Sequence, residues 1–76
     1  MRREQVYELI NAERDRQDAK WGRDRDLHPF LWLTILTEEV GEVARASLKD
    51  DTENRRDELV QVAAVAIAQL EAMQAS

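Results

Sequence analysis

Two pairs of oxygen-bearing side chains, Glu39 with Glu42 and Glu58 with Gln61, each sit three residues apart inside segments that are otherwise mainly apolar, 35–44 and 58–65. In a helix such partners lie roughly 60° apart around the axis and one above the other, so each pair can converge on one ion. Carboxylates seldom occupy apolar faces unless they are paired or hold a cation. Two facing helices would then form an oxygen cage suited to Mg²⁺ or Mn²⁺, since zinc and copper favour nitrogen or sulfur. Di-iron carboxylate bundles use Glu-x-x-His, and the single histidine, His28, lies outside both segments.

A plainer reading makes Glu38, Glu39 and Glu42 a solvated face paired with Arg45 or Lys49 at helix spacing. Against it, Glu39 shares a face with Ile35 and Ala46, and Gln61 interrupts an apolar run where an unpaired amide costs about 1–3 kcal/mol. A buried Gln61 satisfied as a structural amide stays open.

The elements that must position these groups read as three helices, over about 3–18, 29–48 and 51–73. In the first, Val6, Leu9, Ile10 and Ala12 make an apolar stripe that Glu13 and Gln17 continue with polar groups. Residues 20–28 have no period and read as an ordered loop, with a turn at Gly22 presenting Trp21. Pro29 suits the first position of a second helix, whose Leu33, Leu36, Val40, Val43, Ala44 and Leu48 recur at helical intervals. Asp50 followed by Glu53 resembles a capping box that starts the third helix near Asp51. That helix is apolar all round from Leu59 to Ala68 apart from Gln61, so it should be central. The expected fold is all-α, a helical hairpin with an N-terminal helix. A chain of three helices can hardly surround its own central one, so a partner subunit should complete a four-helix bundle in a homodimer or homotetramer.

A chain of 76 residues is one domain at most, and a domain of that size buries only about 60% of the surface its unfolded chain exposes. With no cysteine, disulfides and cysteine zinc sites are excluded as stabilisers, which leaves self-association or a hard metal. The net charge is -5: residues 1–25 hold seven basic and six acidic groups, the remainder four and ten. An acidic surface without a basic stripe argues against a nucleic acid polymer as partner, whereas a small phosphorylated ligand is compatible if divalent cations reverse the local sign. No apolar run approaches a membrane span, and the opening Met-Arg-Arg-Glu-Gln-Val-Tyr-Glu does not read as a signal peptide. The default expectation is a soluble, cytoplasmic protein with no membrane partner.

Glu39-Val-Gly-Glu42 followed by Glu58-Leu-Val-Gln61 resembles the Glu-x-x-Glu then Glu-x-x-Asp signature of the all-α nucleoside triphosphate pyrophosphohydrolases, the MazG-like and dimeric dUTPase superfamily. The segments Glu13-Arg-Asp-Arg-Gln-Asp-Ala-Lys-Trp-Gly22, His28-Pro29 and Trp32-Leu-Thr-Ile-Leu-Thr-Glu-Glu-Val-Gly-Glu-Val43 resemble a compact MazG-like subgroup, extending the likeness over residues 13–70. The resemblance implies hydrolysis of a nucleoside triphosphate to a monophosphate and pyrophosphate with Mg²⁺, removing unwanted nucleotides. Glu39, Glu42 and Glu58, with Gln61, would hold the metal, which screens phosphate charge and orients a water. Glu38 adjoins the cage without being needed in it and is the candidate to accept the water's proton. Gln61 stands where the superfamily has Asp; its oxygen can bind a cation but brings no charge.

For substrate, Lys20, Arg14 and Arg23 are candidates for phosphate, with Lys20 the best placed because it adjoins Trp21. Trp21 either stacks on a base or anchors the loop, and Trp32 reads as core. His28 either contacts substrate or ends the loop before Pro29. Two functions remain: a Mg²⁺-dependent pyrophosphohydrolase, and a non-catalytic helical oligomerisation or nucleotide-binding module with a decayed site, which Gln61 favours.

Overall fold

Gly22 stops the first helix. Its φ of +89° is one that side chains with a Cβ rarely adopt, and its N–H donates to the Asp18 carbonyl at 2.8 Å. In the computed structural model, which describes residues 1–75 and side chains as far as Met73, the helices are α1 (Arg3–Trp21), α2 (Pro29–Leu48) and α3 (Thr52–Ala75). The end expected near Asp18 is thus corrected to Trp21. Nothing between Asp18 and Gly22 breaks a helix, and Lys20 suits the negative end of the dipole. Lys20 and Trp21 therefore stand on the last turn of α1, and the loop begins after them.

His28 is the N-cap of α2: its Nδ1 accepts a hydrogen bond from the Phe30 N–H at 3.1 Å, with Pro29 at the first helical position. At the next junction the capping residue is Asp51, not Asp50. The Asp51 Oδ1 accepts from the Asn54 N–H at 3.2 Å, while Asp50 takes a left-handed φ of 55° to make the turn between α2 and α3.

Both α1 and α2 pack against α3 and neither packs against the other, so the expected central position of α3 is observed. The alanines make this possible: Ala64 and Ala68 on α3 and Ala46 on α2 are buried and let the helix backbones approach. The largest core side chain is Trp32, 4% exposed, packed on Val65 and Ala68 and flanked by Leu27, Ile35, Leu36 and Ala72. Its core position agrees with the sequence reading. The opposite face of α3 is open: Leu59, Ile67, Leu70 and Met73 are exposed. On α2, Phe30, Leu33, Val40 and Leu48 are likewise exposed. Among the described residues there is no strand, and no helix is long and apolar enough to cross a membrane.

The α1–α3 interface is polar at its centre. Arg14 is buried, and its guanidinium donates from Nε to Glu71 Oε1 at 2.9 Å, from Nη2 to Asp18 Oδ1 at 2.9 Å and from Nη1 to Gln17 Oε1 at 3.1 Å. These bonds, the one to Glu71 foremost, raise its affinity for the proton still further. Arg14 was a candidate for phosphate; the structure engages it as the tie between α1 and the C-terminal half of α3. Replacing Arg14 with Ala leaves Gln17 and Asp18 short of a donor. We expect a loss of about 2 kcal/mol and a fall in melting midpoint of about 8–15 °C, measured by circular dichroism; a change under about 2 °C would contradict this role.

Candidate functional site

A pocket of about 370 Å³ opens between the helices, lined by Glu38, Glu39 and Glu42 from α2, Glu58 and Gln61 from α3, and Arg16 and Trp21 from α1. The two three-residue pairs therefore face one another across the α2–α3 interface. The periodicity that buries Ala46 and half-buries Leu36 and Val43 beside them turns Glu39 and Glu42 inward, and both are half-buried together with Glu58 and Gln61. Glu38 is exposed at the margin.

The electrostatics mark Glu39. Its carboxyl is held above the ordinary carboxylate range first by burial, then by Glu58 within hydrogen-bonding reach, and further by the charges of Glu42 and Glu13. Glu42 is partly neutralised by Arg45, whose Nη1 lies 3.2 Å from its Oε1, in keeping with the plainer reading for that residue. Glu39 is not on a solvated, paired face. The donor set is oxygen only, which fits a hard divalent cation such as Mg²⁺ or Mn²⁺ and not zinc. As the side chains stand, no three acidic or histidine groups among the described residues converge as a ready ligand set, so binding an ion requires carboxylates to rotate inward.

Gln61 is held by neighbours on α1. Its Oε1 accepts from Gln17 Nε2 at 3.4 Å, and its amide also reaches the Glu13 carboxylate. Glu13 is held below its usual range, first by its bonds to Arg16 and in smaller part by Gln61 and Gln17, against the opposing effect of burial. Arg16 Nη2 and Glu13 Oε2 are 2.5 Å apart, and the Arg16 Nε donates to Glu13 Oε1 at 2.9 Å. The Glu13 side chain is 12% exposed and that of Arg16 52%.

The remaining residues named from the sequence divide. Trp21, 49% exposed, lines the pocket, with the Lys20 Nζ 4.7 Å and the Arg25 Cζ 5.3 Å from its ring centroid. Arg25 also lies 5.1 Å from the Trp32 ring, bridging loop and core. Lys20 is exposed beside Trp21 but is not part of the pocket wall. His28 caps α2 away from the carboxylates, and Arg14 and Arg23 line a different cavity, of about 360 Å³, with Asp15, Asp18 and Glu71.

Sequence reasoning missed Arg16 and the participation of Glu13. A signal for Glu13 was present, because it continues the stripe of Ile10 and so must face α3; Arg16 follows one turn later as its partner. Comparison with protein-family models, with curated proteins and with solved structures finds no match for this chain.

A carboxyl whose proton affinity is raised in the folded state opposes folding once ionised. In metal-free solution the cost from Glu39 is present at neutral pH and disappears as the pH falls through its folded-state pKa. Glu39→Gln should therefore melt about 2–5 °C higher than wild type at pH 7 in EDTA, a gain that shrinks on acidification into the ordinary carboxyl range. Calorimetry across that range checks it; a variant less stable at pH 7 would contradict the assignment.

Proposed function

We propose that the protein hydrolyses a (deoxy)nucleoside triphosphate to the monophosphate and pyrophosphate, with Mg²⁺ as cofactor and Mn²⁺ able to substitute, as a housecleaning enzyme of the cytoplasmic nucleotide pool. The observation that carries this reading is the meeting of Glu38, Glu39, Glu42, Glu58 and Gln61 at one pocket, with Glu39 crowded by like charges that no basic side chain fully offsets. The motif that resembles the all-α pyrophosphohydrolases is the same set of residues.

Glu39, Glu42 and Glu58 are the residues to hold the cation, with the Gln61 oxygen as a neutral fourth donor once it exchanges its bond to Gln17. Bound there, Mg²⁺ supplies charge neutralisation of the phosphates and a polarised water. Glu38, exposed at the pocket margin, would accept the proton lost by the attacking water as its oxygen bonds one of the two phosphorus atoms and the α–β bridging oxygen leaves with the other phosphate group. Trp21 offers an aromatic face at the rim for the base, provided the cations above it give way.

Incubation with each of the common nucleoside triphosphates and Mg²⁺ should release pyrophosphate from at least one, and EDTA should abolish the release. The engagement of Gln61 by Gln17 and Glu13 favours the second reading, a nucleotide-binding or oligomerisation module that has lost the chemistry. Gln61→Asp separates the two: activity appearing from a silent wild type marks a decayed site, while an active wild type shows that the amide suffices.

The open stripes of α2 and α3 support a second copy as the missing cover, giving a four-helix bundle in a homodimer or homotetramer. Leu33, Val40 and Leu48 on α2, and Leu59, Leu70 and Met73 on α3, are each about half exposed or more, and monomeric proteins rarely leave contiguous apolar patches of more than a few hundred Å² open to water. Light scattering at micromolar concentration should give a multiple of the chain mass; a value near 8.8 kDa would overturn the assembly.

A further inference from the structure

Among the described residues, Arg16 is the one basic side chain in the wall of the acidic pocket. Its partner is Glu13, and half of its side chain is open to solvent. Of the arginines named earlier for phosphate, Arg14 is buried and spends three of its five N–H donors within the α1–α3 interface, and Arg23 lines the other cavity. A triphosphate entering this pocket meets Glu38, Glu39, Glu42 and Glu58, and Arg16 is the protein's own cation there to offset them alongside a metal ion. Trp21 lies five residues beyond Arg16 on the same helix, about 7.5 Å along the axis at 1.5 Å per residue. Arg16 and Trp21 line the same pocket as the carboxylates, so a phosphate chain whose base meets Trp21 and whose metal meets Glu39 passes through the pocket that Arg16 helps to wall.

We infer that Arg16 binds the substrate's phosphate oxygens, exchanging its ion pair with Glu13 for the triphosphate; this rests on the proposed reaction and names the residue that selects a phosphorylated substrate. A planar guanidinium is always charged and can present two parallel N–H donors to a phosphate as it does to a carboxylate. The exchange costs little on the protein side. The Arg16–Glu13 pair is solvent-accessible at the arginine, and such pairs contribute modestly to stability. When Arg16 swings away, Glu13 keeps its bonds from Gln61 and Gln17, so no half-buried carboxylate is stranded. Glu13 serves as a resting place for Arg16 and keeps it off Glu39, whose charge also attracts it.

The test titrates the α,β-methylene analogues of dATP, dGTP, dCTP and dTTP, which resist cleavage at the α–β bridge, into the protein with Mg²⁺ by calorimetry. Arg16→Ala should bind the tightest of the four about ten-fold more weakly or worse, the loss of a charge-assisted contact. Arg2→Ala, which removes the same charge at a fully solvated end of α1, should bind as wild type does. Arg16→Gln, whose amide can still donate to Glu13, carries the comparison should Arg16→Ala melt early. Wild type that binds an analogue while both Arg16 variants bind it equally well overturns the assignment of Arg16 alone. Equal losses in the Arg2 and Arg16 variants also overturn it, since net charge would then be the cause. Wild type that binds none of the four overturns the proposed reaction together with it.

Discussion

Desolvation of polar side chains on the inner face of α1 is the constraint on which the rest of this structure depends. The apolar stripe of α1 reaches only as far as Ile10, after which Glu13, Arg14, Gln17 and Asp18 must meet α3 or each other. A buried polar group without a partner costs more than most single contacts return, so the interface forms only if every one is satisfied. Among the described residues every buried side-chain nitrogen and oxygen has a partner. The chain of bonds runs from Glu71 through Arg14 and Gln17 to Gln61, and from Gln61 to Glu13 and Arg16. One end ties the helices together, and the other end is the wall of the acidic pocket.

That continuity explains the unequal character of the four residues facing one another across the pocket. Glu39, Glu42 and Glu58 belong to the α2–α3 contact and repel one another, whereas Gln61 belongs to both interfaces and is held by α1. A carboxylate at position 61 would face Glu13 and Glu39 with another negative charge; the neutral amide instead donates to Glu13 and accepts from Gln17. The amide therefore lowers repulsion between the helices.

The same tension governs the outer surface. α3 is built with alanines so that two helices can approach it, and this leaves its large apolar residues, Leu59, Leu70 and Met73, on the far side. Three short helices around one core aromatic, Trp32, bury too little to cover them.

The helix count, the start at Pro29, the end at Leu48 and the core position of Trp32 were legible in the sequence, because periodicity and proline act over one or two turns. The meeting of Glu39 and Glu42 with Glu58 and Gln61 was legible for the same reason: spacing dictates the face, and an antiparallel hairpin leaves few ways to join two faces. The extension of α1 to Trp21 was hidden, since only the bond from the Gly22 N–H to the Asp18 carbonyl decides where that helix stops. Nor could a sequence divide labour among arginines. Arg14 and Arg16 differ by two positions and point to opposite fates, one spent on Glu71 and Asp18 and the other standing in the pocket beside Glu13. By itself the sequence determined which helices form and which faces carry the carboxylate and amide oxygens, because those follow from local periodicity. Only the tertiary structure decided which arginine is buried between the helices and which lines the pocket, because an ion pair depends on what the neighbouring residues place within about 3–4 Å.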